Sequence, residues 1–150
     1  MKHHILIGSD DSVICSSLTR SFPWEDYDLA LAKSTSDAVK WSALKRFDLM
    51  ILDLEVSSNS GWQVLSVLKL LKWSAPVVVI TNQLGQYEHT IGSGADAFME
   101  KPLALPTLLY AVDLLLLETT DERQLRLANP GFAPFCLESD RPLELTAVEP

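Results

Sequence analysis

A chain of 150 residues, 47% hydrophobic and 21% charged, suits one domain with a substantial core and is too short for two ordinary ones. Twelve Lys and Arg against twenty Asp and Glu leave a net charge of −8. That balance argues against direct contact with nucleic acid, and the scattered basic residues give no polybasic signal for a membrane surface. Ile5–Ile7 is too short an apolar run for a signal peptide, and Leu103–Leu117, broken by Pro106 and Asp113, falls short of a membrane span. Cys15 and Cys136 stand far apart without neighbouring ligands. They fit a reducing cytoplasm better than a disulfide framework or a zinc site.

Short apolar runs alternate with helical patterns along the chain. Ile5–Ile7 reads as a strand, followed by a helix from Ser12 to Phe22 with Val13, Ile14 and Leu18 on one face. Tyr27–Ala32 is a second strand, and Thr35–Lys45 a helix with Ala38, Trp41 and Leu44 along its stripe. Leu49–Asp53 is apolar at successive positions, the pattern of a strand buried on both faces. Gly61–Lys72 predicts a helix with Val64, Leu65, Leu68 and Leu71 inward, and Pro76 opens a β-branched strand, Val77–Thr81. A short helix around Gln86–Ser93 leads to a brief strand at Ala97–Met99. Pro106 then marks the first turn of a final helix to about Thr119. Five βα units in a row predict an α/β fold, a doubly wound, flavodoxin-like, five-stranded parallel sheet with helices on both faces. The domain is expected over residues 1–119. Residues 120–150 carry six acidic and three basic residues and four prolines without a clear period, and read as a C-terminal extension, either linker or docked tail.

Ligands of such sheets sit beyond the carboxyl ends of the strands. Those ends hold Asp10 and Asp11 after the first strand, Asp53 after the third, Thr81 after the fourth and Lys101 after the fifth. Singly, each reads more readily as a turn, a cap or a surface charge. Together they form one chemistry. Clustered carboxylates suit a hard divalent cation such as Mg²⁺, and a carboxylate beside it can accept a phosphoryl group. Thr81 would donate to one phosphoryl oxygen and Lys101 would place its charge on another.

The stretch Gly94-Ala95-Asp96-Ala97-Phe98-Met99-Glu100-Lys101-Pro102 resembles the end of a response-regulator receiver domain. Ile51-Leu52-Asp53-Leu54, with Gly61 eight positions after the aspartate, is similar to the family's phosphoacceptor segment, and Thr81 ends the fourth strand where the family has its switch hydroxyl. The resemblance spans residues 3 to about 119. It implies Asp53 as phosphoacceptor, Mg²⁺ held by Asp10, Asp53 and the backbone carbonyl of Glu55, with Asp11 a further candidate, and Thr81 and Lys101 on the phosphoryl group. Phe98 would be the aromatic that turns inward when Thr81 moves, its other reading being a plain core residue. The Lys101–Pro102 bond resembles one that is cis in the family. The implied partners are a sensor histidine kinase or phosphotransfer protein upstream and a protein partner downstream, in the cytoplasm.

Three positions depart from the family pattern. Ser9–Asp10 stands where an acidic pair is usual, a register preferred to Asp10–Asp11 because the latter takes Leu18 out of the core. Ser57 replaces a proline after the phosphoacceptor, and Asn82 replaces a small residue after Thr81. These departures leave a second reading, a degenerate receiver that binds a protein without phosphorylation. A flavodoxin-like cofactor binder is disfavoured because Ser9-Asp10-Asp11-Ser12 would set negative charge against a cofactor phosphate. The final helix, with leucines at 105, 108, 109 and 114–117, is too apolar for one sheet face to cover. Its candidate partners are a homodimer through the last two helices, another protein, or the chain's own tail.

Overall fold

The computed structural model describes residues 2–56, 61–90, 93–129 and 134–139. The elements run β1 (His3–Gly8), α1 (Ser12–Ser21), β2 (Tyr27–Ala32), α2 (Thr35–Leu44), β3 (Leu49–Asp53), α3 (Gly61–Leu70), β4 (Val77–Thr81), α4 (Tyr87–Thr90), β5 (Ala97–Glu100), α5 (Leu105–Leu117), α6 (Thr120–Ala128) and β6 (Phe135–Leu137). The described strands form one parallel sheet in the order β2-β1-β3-β4-β5-β6. The order reverses between β1 and β3, and doubly wound sheets open a crevice at that point.

The two faces of the sheet carry separate cores. Leu6, Met50, Leu52, Val77, Val79 and Phe98 meet Ala38 of α2 and Val64, Leu65 and Leu68 of α3, with Tyr87 of α4 packed alongside. Ile5, Ile7, Leu49, Ile51, Val78, Ile80 and Met99 point the other way, onto Leu18 and Phe22 and onto Leu108, Val112 and Leu115 of α5. Every residue of β3 and β4 is buried, as strands with helices on both sides require.

Three helix faces differ from the sequence expectation. Val13 is 70% exposed, and Cys15 takes the inward place beside Leu18. Asp11 caps α1 through its side chain, which puts Val13 in the first turn and rotates it away from the sheet. Leu71 is half exposed because α3 stops at Leu70, before the apolar period completes another turn. On α2, Ala38 is buried but Leu44 is exposed at the last helical position. Residues 57–60 and 91–92, within the serine-rich loop and the Gln86–Ser93 helix expected from sequence, lie outside the described residues.

The extension contributes α6 and the sixth strand. A capping box opens α6: Thr119 accepts from the Glu122 amide at 3.0 Å and its own amide donates back to the Glu122 carboxylate at 3.0 Å. No apolar residue of α6 is buried. Its anchor is electrostatic: Arg123 Nε donates to Asp96 Oδ2 at 2.9 Å, and Arg126 Nη2 to the same oxygen at 2.7 Å. Asp96 is fully buried at the start of β5, and its other oxygen accepts from the Val77 amide. β6 then pairs with β5 from Ala97↔Phe135 to Met99↔Leu137, and the Tyr87 hydroxyl donates to the Pro134 carbonyl at 2.5 Å. Leu137 covers part of the apolar surface of α5, while Tyr110, Leu114 and Leu117 stay exposed. Among the described residues, no helix is long and apolar enough to cross a membrane.

Candidate functional site

Four segments meet at the carboxyl edge of the sheet: the β1–α1 turn, the end of β3, the end of β4 and the residue after β5. Parallel register places Asp53 beside Ile80, one residue before Thr81, and Thr81 beside Glu100, one residue before Lys101. The pairing of adjacent strands thus sets the three side chains along one line.

Asp53 is 1% exposed, yet its carboxylate is fully engaged. Lys101 Nζ lies 3.0 Å from both Oδ1 and Oδ2. The Ser9 hydroxyl donates to Oδ2 at 2.8 Å and the Glu55 amide to Oδ1 at 2.9 Å. A buried carboxylate without such partners would be strongly unfavourable. Burial opposes the charge on Lys101, but hydrogen bonds and Coulombic attraction from Asp53 and then Glu55 outweigh it, and its pKa is raised.

Thr81 is fully buried, and its hydroxyl donates to Glu55 Oε2 at 2.5 Å. The Asn82 amide donates to Glu55 Oε1 at 2.7 Å, and Lys101 Nζ reaches the same oxygen at 3.1 Å. Phe98 is 1% exposed, turned into the core with its ring edge-on to Tyr87 at 5.7 Å between centroids. The Lys101–Pro102 peptide is cis.

The β1–α1 turn divides its polar residues between two tasks. Asp11 Oδ1 accepts from the Val13 and Ile14 amides, so its carboxylate serves the start of α1. Ser9 is fully buried against Asp53, and Asp10 is exposed at the rim. Cys15 Sγ donates to the Ser9 carbonyl at 3.4 Å, and burial pushes its thiol pKa up.

The structure therefore brings Asp53, Thr81 and Lys101 to one sheet edge, with Phe98 buried beside Val79 and Tyr87. Two contributions escaped the sequence reading. Ser9 appeared there only as a lost carboxylate, whereas its hydroxyl binds Asp53 directly. Glu55 was considered for its carbonyl, whereas its side chain holds three donors. The position was a usable signal: an acidic residue two places after Asp53, in the turn that leaves β3, stands at the same sheet edge.

A hard cation would find suitable donors here. Asp53 and Asp10 offer carboxylates and Glu55 a backbone carbonyl, all oxygen ligands, with a hydroxyl in place of a further carboxylate at Ser9. By the chemistry of its donors the set would suit Mg²⁺, with one fewer charge than a paired-aspartate turn would supply, and among the described residues no three acidic, His or Cys side chains are grouped to hold a metal ion.

Comparison with known proteins identifies the family and the fold. The family described as the response regulator receiver domain matches residues 5–113. The chain is 31% identical to the response regulator MprA of Mycolicibacterium vanbaalenii over 99% of its own length and 69% of the relative's. It is 32% identical to the protein of the same name from Mycobacterium avium over 89% of its length and 60% of that relative. Among solved structures, a CheY-like receiver domain protein from Methanospirillum hungatei aligns with a TM-score of 0.73 at 22% identity, covering 82% of this chain and 99% of that one. A response regulator from Burkholderia pseudomallei, solved with a phosphorylated aspartic acid, a calcium ion and citrate, aligns with a TM-score of 0.66 at 24% identity over 86% of this chain and 76% of that one. With a family match over most of its length and relatives above 30% identity, the chain belongs to the response regulator receiver family.

Proposed function

We propose that the protein is a phosphoacceptor switch in which Asp53 receives a phosphoryl group from a sensor histidine kinase or phosphotransfer protein and the change passes to a protein partner. The observation that carries this reading is a buried carboxylate at the topological switch point, gripped on both oxygens by one lysine at 3.0 Å. A carboxylate oxygen of Asp53 would attack phosphorus while the bond to the donor's leaving group breaks, and that group departs with the electron pair. Phosphoryl transfer of this kind depends on positioning and charge neutralisation, and Lys101 supplies the fixed cation. Mg²⁺, held by Asp10, Asp53 and the Glu55 carbonyl, would supply further neutralisation when bound. The Burkholderia protein, solved with a phosphorylated aspartic acid and a calcium ion, is in keeping with this reading.

The product would add about two negative charges and three acceptor oxygens beside Thr81. Thr81 is joined to the opposite end of the domain's output region by packing: its strand lies against β5, Phe98 of β5 touches Tyr87 of α4, and Tyr87 holds the extension at Pro134. Output through α4, β5 and α5 would therefore involve the chain's own tail, whether the partner is another protein or a second copy. A second reading, an interaction module that works without phosphorylation, draws on Ser9, which replaces a carboxylate beside Asp53 and so weakens cation binding. Mass spectrometry after incubation with Mg²⁺ and a small phosphodonor separates the two. Wild type should gain one phosphoryl group and Asp53→Asn none; an unmodified wild type would leave the interaction module standing.

A further inference from the structure

Glu55 occupies the groups that a phosphoryl group on Asp53 would need. Among the described residues, the Thr81 hydroxyl, the Asn82 amide and the Lys101 ammonium are donors at the same sheet edge as Asp53, and all three donate to the one Glu55 carboxylate, at 2.5, 2.7 and 3.1 Å. Glu55 is not at the surface by accident: its side chain is 17% exposed and folded inward over Lys101. A carboxylate offers two oxygens with delocalised charge, so it satisfies oxyanion-binding donors much as two phosphoryl oxygens would.

We infer that the Glu55 side chain is a tethered stand-in for the phosphoryl group, holding Thr81, Asn82 and Lys101 in their engaged positions and competing with the incoming group for them. The inference rests on the phosphoacceptor reading above. Its physical basis is charge: Asp53 and Glu55 already share one ammonium, and a further dianion at the same donors would face Glu55 at short range. Glu55 must therefore rotate out before the three donors can close on phosphoryl oxygens. Glu55 is in this sense a positioning residue, setting how readily the site fills.

The test uses beryllofluoride with Mg²⁺ as the phosphoryl mimic, titrated into the full chain and followed by the amide NMR signals of residues 81 and 82. Glu55→Asp keeps the charge but is one methylene too short to span the donors; Glu55→Gln keeps the length but loses the charge. Both should lower the half-saturating beryllofluoride concentration, by about tenfold for the loss of charge-assisted hydrogen bonds. In the unliganded protein both should also speed hydrogen exchange at the Asn82 amide, with the β3 and β4 amides unchanged as the control for folding. Wild-type affinity in Glu55→Asp with tightening only in Glu55→Gln would reduce the effect to net charge and overturn the inference, as would unchanged exchange at Asn82. If none of the three proteins responds to beryllofluoride, the phosphoacceptor reading falls and takes the inference with it.

Discussion

Tyr27 and Asp113 join β2 to α5 through a hydrogen bond from phenol to carboxylate at 2.5 Å, and this contact gives the molecule an alkaline titration of its own. Burial, then the hydrogen bond and charge of Asp113, push the phenol from its ordinary 10 up to about 12. A pKa raised on folding means that the protonated phenol is favoured in the native state. The stabilisation is complete below pH 10, the unfolded value, and is lost as pH climbs through the folded value of about 12. The difference in urea stability between wild type and Tyr27→Phe should therefore be constant at neutral pH and shrink across that window, with an ultraviolet phenolate titration reporting the same high midpoint. Lys101 follows the same sign rule, since Asp53 and Glu55 raise its pKa against the burial that would lower it. Single residues at the strand ends were legible because strand periodicity and chain order place them; the partners they choose were not. Sequence puts Ser9, Glu55 and Asn82 in the right neighbourhood, but only the folded register shows that a glutamate oxygen, not solvent, faces Thr81.

Elements were most readable where apolar burial alone decides them. β3 and β4 are five-residue runs buried throughout, and α3 announces itself by Gly61 and its leucines. Gly61 is required by space: a Cβ there would stand 2.5 Å from Leu54 Cα and 3.0 Å from the Asp53 carbonyl, so α3 can start this close behind β3 only with glycine. α6 was missed for the opposite reason. It is mostly polar and buries no apolar residue, so no broad apolar stripe announced it, and its clearest sequence signature was the capping box from Thr119 to Glu122. What fixes it is Asp96, fully buried, with Arg123 at 2.9 Å and Arg126 at 2.7 Å. Replacing both arginines by alanine should cost about 3–5 kcal/mol, because it leaves a buried carboxylate without a counter-charge. Urea denaturation measures this; a loss well under 1 kcal/mol would show that water reaches Asp96 and compensates it.

For the whole molecule, the two poles of the sheet carry different work. The carboxyl edge gathers Asp53, Thr81 and Lys101, while the opposite edge, where β4 and β5 begin, is closed by Asp96 and the α6 arginines, with Arg123 also donating to the Ser74 carbonyl at 2.8 Å. β6 links the poles along the side of β5, three residues long and tied at Pro134 to Tyr87. A chain ended after residue 119 loses both guanidiniums and the sixth strand together. Its stability should fall by at least the amount that the double alanine variant loses, about 3 kcal/mol or more. The urea midpoint would read it, and a midpoint equal to that of the full chain would mean that the tail rests on a core already complete without it. On that expectation the cooperative unit would extend past the family match, residues 5–113. Anyone grafting this receiver onto a foreign output module should make the cut beyond Leu137, since a junction drawn at the family boundary would strand an anion under the sheet's far rim and hand the recipient a sensor that melts before it signals.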